Sequence, residues 1–283
     1  MNIRSFLLAL TVVAVWGMNG SVGKLLAANV PPIGFLTVRF LLSSLIFLPF
    51  SHIKKEQVLP LLMTAVLVNG VSNGAYYFSF LYLDVTSYVV LTQLQIPVSI
   101  AIACFIAHEK IAPFQIAGTL TAMAGIVCIL GLPTLNPTGV LTMTIGALGW
   151  SFAQLYMKKL SDVAPMTFMA YAALFSVPFL GAASLLLETG VVDAFTHAAP
   201  KTLAFLLIWP VFVMAAAMLA WQRLLVKEGI NRMAPFLTLE IVFGIIGGVV
   251  FWHEKMTPHV WAGAVLTVTG VFLTNLRIKR GVS

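Results

Sequence analysis

Long apolar runs separated by short polar segments occupy nearly all of the 283-residue chain. About ten runs reach the roughly 18–25 residues that cross a hydrocarbon core of about 30 Å as a helix. They lack the two-residue alternation of a membrane barrel, and in lipid the backbone must satisfy its own hydrogen bonds. The pattern therefore predicts transmembrane helices near residues 5–27, 32–51, 57–81, 86–107, 113–131, 138–160, 165–187, 201–226, 233–252 and 258–277.

A segment of eleven residues occurs twice, after the fourth and after the ninth predicted helix. His108–Gly118 and His253–Gly263 are identical at six positions: the initial His-Glu-Lys, a proline and the final Ala-Gly. Each copy ends one apolar run and begins the next. The repetition indicates an internal duplication, with one five-helix repeat in residues 1–134 and a second in residues 135–283.

Five predicted helices in each half turn the two halves upside down relative to each other. A chain that enters the membrane from one side leaves its fifth helix on the other side, where the sixth helix must begin. The predicted fold is therefore an all-α integral membrane protein of ten transmembrane helices, built from two inverted five-helix repeats. Transporters with this plan bind their substrate near the membrane midplane, between the repeats.

Composition and charge support a membrane protein and predict its orientation. The chain is 60% hydrophobic and 9% charged, with a mean hydropathy of +1.01, and a soluble core of this size could not hide so much apolar surface. If the N-terminus is inside, twelve of the 16 basic residues face the cytoplasm and three face the other side, with Arg39 inside a helix. This bias predicts that both termini are cytoplasmic. The basic residues form no patch interleaved with aromatics, so we expect no nucleic-acid partner.

Glu240 is the only acid well inside a predicted span, about seven residues into the ninth helix. An ionised carboxylate at mid-bilayer costs roughly 2.5–3.5 kcal/mol on insertion scales, so acids there usually face protein or water. One interpretation is that Glu240 binds a substrate ammonium or takes up a proton. The alternative is that it is a protonated or hydrogen-bonded packing residue.

Amide and aromatic side chains recur at helical spacing in the other spans and predict a polar cavity. At the spacing that separates His108 from His253, Gln95 of the first repeat corresponds to Glu240 of the second. Inversion of the repeats places these two residues at mirrored depths on either side of the membrane midplane. We expect walls from helices one, three, four, six, eight and nine, with helices five and ten outside. The alternative for each amide is an interhelical hydrogen bond worth about 0.6 kcal/mol. The predicted substrate-binding residues are Trp16, Asn19, Asn73, Tyr76, Gln95, Trp150, Gln154 and Glu240.

The chain resembles the EamA family of the drug/metabolite transporter superfamily. The resemblance rests on the five-plus-five plan, Trp16-Gly17 with Lys24 in helix one, and Pro31 leading to Arg39-Phe40 in helix two. It also rests on the Gly/Glu-rich ends of helices four and nine, each followed by a proline and Ala-Gly. The resemblance implies an exporter in the bacterial inner membrane that carries amino acids or other metabolites.

The sequence favours a secondary carrier that exports amino acids or similar small metabolites by alternating access. Because no nucleotide-binding motif is present, the driving force is expected to be a gradient of substrate or protons. A flippase for lipids or lipid-linked sugars is an alternative within the same fold family, and an intramembrane enzyme is a further one. Catalytic residues, metal ligands and cofactors are not expected.

Two stripes of small residues predict close helix packing on the fifth and tenth helices. They are Gly118-Ala122-Gly125 and Gly263-Thr267-Gly270. Small side chains let helix backbones approach each other in lipid. The stripes fit contacts within a monomer or between the subunits of a homodimer.

Overall fold

Helices make up most of the chain, as the apolar runs predict. The computed structural model describes residues 2–106, 108, 113–130, 135–160 and 162–275, and these residues contain no β-strand. A short helix, Val191–His197, lies in the polar segment before the eighth long helix. In chain order the long helices are α1 (Ile3–Ala27), α2 (Pro32–Phe47), α3 (Lys55–Ser79), α4 (Val85–Phe105), α5 (Pro113–Leu130), α6 (Pro137–Met157), α7 (Pro165–Leu187), α8 (200–228), α9 (Ile230–Trp252) and α10 (Pro258–Asn275).

Seven helices in the described part of the chain are long and apolar enough to cross a membrane, namely α1–α4 and α6–α8. The apolar stretches of α5, α9 and α10 are shorter. Large apolar side chains also face outward, as with Leu120 and Val265, which are 61% and 58% exposed. A surface of this kind belongs in lipid. The chain is therefore a multi-pass helical membrane protein.

Polar contacts define the two ends of the helix bundle. Glu254, just after α9, accepts a hydrogen bond of 2.6 Å from the backbone N–H of Val85 at the start of α4. Lys227, close to the end of α8, donates one of 3.2 Å to Ser5 at the start of α1. We call these the Glu254 end and the Ser5 end. The helices alternate in direction, so α1 runs from the Ser5 end to the Glu254 end and α2 runs back.

The main helix contacts join the first half of the chain to the second. Helix α1 packs on α9 and α8, α4 packs on α6 and α9, α3 packs on α6 and α7, α2 packs on α7 and α8, and α5 packs on α10. If each helix of the first half is replaced by its counterpart in the second half (α1 by α6, α2 by α7 and so on) and the reverse, the same set of contacts is obtained. The α1–α9 contact becomes α6–α4, for example, and α3–α6 becomes α8–α1.

The small-residue stripes meet each other inside the chain. A Cβ added to Gly125 of α5 would lie 2.5 Å from the backbone oxygen of Gly263, and one added to Gly263 of α10 would lie 2.7 Å from the backbone oxygen of Gly125. Thr267 is fully buried at this contact. The stripes therefore pack α5 against α10 within one monomer, which selects one of the two interpretations that the sequence left open.

Matching backbone irregularities occur in the two halves. The first residue of each eleven-residue segment, His108 and His253, has a left-handed backbone with φ of 52°. Wide π-helical turns interrupt α3 at Val66–Asn73 and α8 at Trp209–Val213. Apolar periodicity predicts plain α-helices here. In α8 the cause is visible, because Pro210 has no N–H to offer the regular hydrogen-bond ladder.

Candidate functional site

A cavity of about 660 Å³ lies at the centre of the bundle. Its walls come from α1, α3, α4, α6, α8 and α9, the six helices that the sequence predicts. Val271 of α10 also lines the cavity, so the expectation that α10 stays wholly outside is wrong. Volumes of 300–1,000 Å³ are typical of small-molecule sites. The cavity is therefore large enough for a metabolite.

Seven of the eight residues predicted from the sequence line this cavity. Gln154 does not, and it instead donates a 2.7 Å hydrogen bond to Ser99 of α4, whose hydroxyl lies 2.8 Å from that of Ser151. Gln154 shares a helical face with Trp150, but one turn further along α6 that face is covered by α4. Its amide thus serves the packing of α6 on α4. The seven lining residues are Trp16, Asn19, Asn73, Tyr76, Gln95, Trp150 and Glu240.

Glu240 is held in place by a close approach of α9 to α1. A Cβ at Gly17 would lie only 2.6 Å from both the backbone oxygen of Glu240 and the Cβ of Phe243. Only glycine permits this contact, which gives the Trp16-Gly17 pair a structural reason. The Glu240 side chain is half-buried in the cavity wall, and no residue in the described chain donates a hydrogen bond to its carboxylate.

A related contact, with room for a serine side chain, recurs between α6 and α4. Ser151 occupies the repeat position of Gly17, and its hydroxyl lies 3.3 Å from the backbone oxygen of Gln95, the repeat partner of Glu240. The two polar residues that the repeat pairs are thus positioned by equivalent helix contacts. An alignment of the two halves shows Gly17 and Ser151 only as a mismatch. Both residues contact a backbone oxygen on the neighbouring helix, and such a contact cannot be read from the partner's side chains.

Aromatic rings make up much of the remaining wall. The rings of Trp16 and Trp221 lie 5.1 Å apart, and those of Tyr76 and Tyr88 meet edge to face at 6.3 Å. Sequence reasoning missed Tyr88, Trp221 and Thr92 as lining residues. The spacing of Tyr88, seven residues before Gln95 on α4, places both on one helical face and could have indicated it.

Amide groups in the wall keep hydrogen-bonding capacity for a ligand. Asn73 donates one bond, of 3.1 Å, to Asn69 one turn earlier. Among the described residues, Gln93 makes only a long contact, of 3.4 Å, with the hydroxyl of its neighbour Thr92. An amide group can make about four hydrogen bonds. The cavity therefore offers both donors and acceptors beside one carboxylate.

The Glu254 end of the cavity helices is tied together by two charged side chains. Lys24 donates to the backbone oxygens of Phe80 and Leu83 at the end of α3, at 2.7 and 2.6 Å. Glu254 accepts from the backbone N–H groups of Val85 and Thr86 and also from the Thr86 hydroxyl, at 2.6, 3.0 and 2.6 Å. A carboxylate stabilises a helix start in this way.

This capping contact explains the acid of the second His-Glu-Lys segment. Glu254 joins the end of α9 to the first turn of α4, on the far side of the cavity from Ser5. The matching acid, Glu109, lies outside the described residues, as does Lys110. The sequence predicts the duplicated segment, but nothing in it indicates that Glu254 contacts the start of α4.

Asn73 and Gln154 offer a paired test of which amides matter. If the protein is the carrier that the sequence predicts, Asn73→Ala is expected to reduce transport about three- to tenfold, because one hydrogen bond to a substrate is worth about 0.5–1.5 kcal/mol. Gln154→Ala should stay within about twofold of wild type, because Ser99 retains its contact with Ser151. Initial rates in liposomes at equal protein content measure both. Equal losses in the two variants would contradict the assignment of the cavity.

Comparison with known proteins agrees with the architecture. The model of the EamA-like transporter family matches the chain twice, over residues 3–131 and 137–276. The chain belongs to the EamA-like transporter family. This confirms the resemblance seen in the Trp-Gly, Pro and Ala-Gly positions, and it places the protein among membrane transporters.

Individual relatives match different shares of the chain. A "Probable amino-acid metabolite efflux pump" of Salmonella typhimurium is 28% identical, over 99% of this chain and 98% of that protein. A "Probable 4-amino-4-deoxy-L-arabinose-phosphoundecaprenol flippase subunit ArnE" of Aeromonas salmonicida is 33% identical over 67 residues, which are 24% of this chain and 59% of that subunit. A solved structure described only as "Crystal structure of protein" shares the fold, with a TM-score of 0.64 at 15% identity, covering 97% of this chain and 98% of that one.

Proposed function

We propose that this EamA-like protein is a secondary transporter that exports amino acids or similar small metabolites. The observation that carries the proposal is the central cavity, in which Glu240 lies among amides and aromatic rings contributed by both halves. The name of the Salmonella typhimurium relative, an amino-acid metabolite efflux pump, supports the substrate class. Small zwitterions and amines are the ligands that one carboxylate with neighbouring amides can bind.

The proposal includes ten transmembrane helices in two inverted repeats. Three features support it: the double match to one family model, the exchange of helix contacts between halves, and the equal backbone angles at His108 and His253. The repeats are residues 1–134 and 135–283. With five crossings in each, the second repeat has the opposite orientation in the membrane.

Alternating access would follow from movement of one repeat against the other. The contacts that hold α1 to α9 and α6 to α4 are equivalent, so breaking one set while keeping the other opens the cavity to one side. Glu240 lies at the α1–α9 contact, so the surroundings of its side chain would change with this movement. A gradient of substrate or protons supplies the free energy.

The orientation in the inner membrane follows from charge. The basic residues assigned to the Ser5 end outnumber those at the Glu254 end by twelve to three, so we place the Ser5 end and both termini in the cytoplasm. Glu254 and Lys24 then lie at the periplasmic end. Export moves substrate from the Ser5 end to the Glu254 end.

A labelling experiment tests the inverted topology. Single cysteines at Lys110 and Lys255 are introduced into a protein in which Cys104 and Cys128 are replaced. We expect an impermeant thiol reagent to reach Lys110→Cys only from the cytoplasm and Lys255→Cys only from outside, since each lies just after a span. Labelling of both from the same side would overturn the inverted repeat.

Counterflow in liposomes tests the transport function itself. Purified protein is reconstituted with unlabelled amino acids inside, and uptake of each radiolabelled amino acid is followed with and without a pH gradient. Uptake above that of protein-free liposomes is expected for at least one amino acid. No uptake of any amino acid would count against the proposal.

A flippase is the second candidate, because a segment of the chain matches the flippase subunit of Aeromonas salmonicida. A flippase would move fluorescent or lipid-linked sugar analogues between leaflets in the same liposomes. The exporter proposal expects no such movement. Testing amino acids and lipid-linked sugar analogues in the same liposome preparation therefore distinguishes the two functions.

A further inference from the structure

The turn between α3 and α4, residues 80–85, is held from two sides at the Glu254 end. Lys24 of α1 donates to two backbone oxygens at the end of α3. Glu254, just after α9, accepts from two backbone N–H groups at the start of α4. Helices α1 and α9 pack closely against each other. The α1–α9 pair therefore fixes the position of the α3–α4 turn.

The backbone at the end of α9 directs Glu254 toward α4. His253 has a left-handed backbone with φ of 52°, and the N–H of Glu254 donates back to the backbone oxygen of Gly248 at 3.3 Å. A Cβ at Gly248 would meet the Glu254 carboxylate and would lie 2.9 Å from the hydroxyl oxygen of Thr86. The contact between α9 and α4 thus depends on a glycine at this position.

Both oxygens of the Glu254 carboxylate are bound to α4. Oε1 accepts from the N–H of Val85 at 2.6 Å, and Oε2 accepts from the N–H and the hydroxyl of Thr86 at 3.0 and 2.6 Å. Hydrogen bonds to an ionised acceptor are about twice as strong as neutral ones, and a helix start favours negative charge. Because one side chain makes all three bonds, movement of α4 away from α9 would break them together.

Val89 separates the cavity from this contact. It lies three residues after Thr86, about 4.5 Å further along α4, and it lines the cavity. Its side chain fits between two glycines: a Cβ at Gly244 of α9 would lie 2.6 Å from it, and one at Gly20 of α1 would lie 3.2 Å from it. The Glu254 contact therefore holds an apolar barrier in place between the cavity and the Glu254 end.

We propose that Glu254 is a latch on the exit of the cavity: its bonds to Val85 and Thr86 hold α4 against α9, and they break when substrate leaves at the Glu254 end. This inference rests on the proposed function as an exporter. Glu254 acts as a positioning residue, which sets how often the cavity opens outward and does not touch substrate. It is half-buried at the end of the bundle, so water can solvate its carboxylate once the latch is released.

Glu188 provides a matched control at the same end of the bundle. It follows α7 and accepts from the backbone N–H groups of Ile33 and Gly34 at the start of α2, at 2.8 and 2.7 Å, and from the Ser184 hydroxyl at 2.8 Å. Its carboxylate thus accepts three hydrogen bonds, as that of Glu254 does. Helices α2 and α7 contribute none of the described residues that line the cavity. Loss of the Glu188 cap should therefore weaken the fold without opening the cavity.

Labelling of Asn19→Cys from outside tests the latch. The protein lacks Cys104 and Cys128, and the rate of reaction with an impermeant thiol reagent is measured in right-side-out vesicles. Glu254→Gln should raise this rate about fivefold or more, because its amide is uncharged and offers one acceptor oxygen to three donors. Glu188→Gln should leave the rate within about twofold, since it does not shift the balance between closed and open states. A rate in Glu254→Gln no higher than in Glu188→Gln would overturn the proposal.

Two further measurements separate a latch from general loosening of the fold. Both Gln variants lose a charged helix cap, so their midpoints of thermal unfolding should fall by similar amounts. Labelling rates that simply follow these midpoints would overturn the proposal. Thr86→Val removes one donor to Glu254 and should raise external labelling to a smaller extent. It decides the outcome if Glu254→Gln does not fold, and an unchanged rate in Thr86→Val would then overturn the proposal.

Counterflow separates failure of the latch from failure of the transport function. Amino-acid counterflow by the wild-type protein, with external labelling unchanged in Glu254→Gln, would end the latch and leave the exporter intact. Faster labelling of Glu254→Gln in a protein that moves no amino acid would support the latch and count against the exporter.

Discussion

Glu240→Gln is expected to reduce transport tenfold or more and to abolish any dependence on a pH gradient. The amide keeps the shape of the side chain but removes the charge that, in the proposed function, pairs with a substrate ammonium. A hydrogen bond to a charged group is worth about 1.5–3 kcal/mol, which corresponds to about ten- to a hundredfold in affinity. Because Glu240 is the one acid among the described lining residues, no neighbouring carboxylate replaces it. Initial rates in liposomes, with and without the gradient, measure both effects.

The matched control is Glu56→Gln, the same change at an exposed acid in the first turn of α3. It should transport at the wild-type rate. Glu240→Gln should insert and fold normally, since removing a charge from the membrane interior is not costly. Wild-type transport with unchanged pH dependence in Glu240→Gln would make Glu240 a packing residue, and the carrier would then be a facilitator that recognises substrates by amides and rings.

Gly125→Val is expected to prevent stable folding. Its first added carbon would lie 2.5 Å from the backbone oxygen of Gly263 and 2.6 Å from the backbone nitrogen of Thr267, and backbone cannot move aside as a side chain can. Overpacking of this kind costs about 1–3 kcal/mol, and more where two backbones touch. The monodisperse yield in detergent and the midpoint of thermal unfolding measure the loss.

Gly181→Val provides the control for a glycine in a helix. A Cβ at Gly181 meets only Thr37, at an ordinary distance of 3.7 Å, so this variant should fold with little change in its unfolding midpoint. The unfolding midpoint of Gly125→Ala should fall between those of Gly125→Val and Gly181→Val. If Gly125→Val and Gly181→Val were equally stable, the α5–α10 contact would not hold the bundle together.

The helices and the broad position of the site could be predicted because lipid imposes simple rules. Apolar runs of membrane length must be helical, and a lone acid within one must face protein or water. Glu240, Gln95 and Asn73 follow from these rules, and all three line the cavity. Small-residue stripes indicate close contacts for the same reason, since only backbone and small side chains approach that closely in lipid.

The remaining features depend on partners that the sequence does not name. Gln154 has the spacing of a cavity residue, but its neighbour on α4 is Ser99, and only the packing of two distant helices reveals that. Glu254 caps a helix 168 or more residues away, and a capping acid after a span looks like any polar loop residue. The π-helical turn of α3, Val66–Asn73, contains one glycine, Gly70, and no proline, so the apolar periodicity does not predict it.

Accessibility of the cavity from both sides of the membrane tests the central claim most directly. A single cysteine at Asn19, in a protein lacking Cys104 and Cys128, is treated with an impermeant thiol reagent in right-side-out and in inside-out vesicles. Alternating access predicts labelling in both, while a cysteine at the lipid-facing Leu120, 61% exposed, is labelled in neither. Labelling of Asn19→Cys from one side only, or from neither, would contradict a cavity that carries substrate across the membrane.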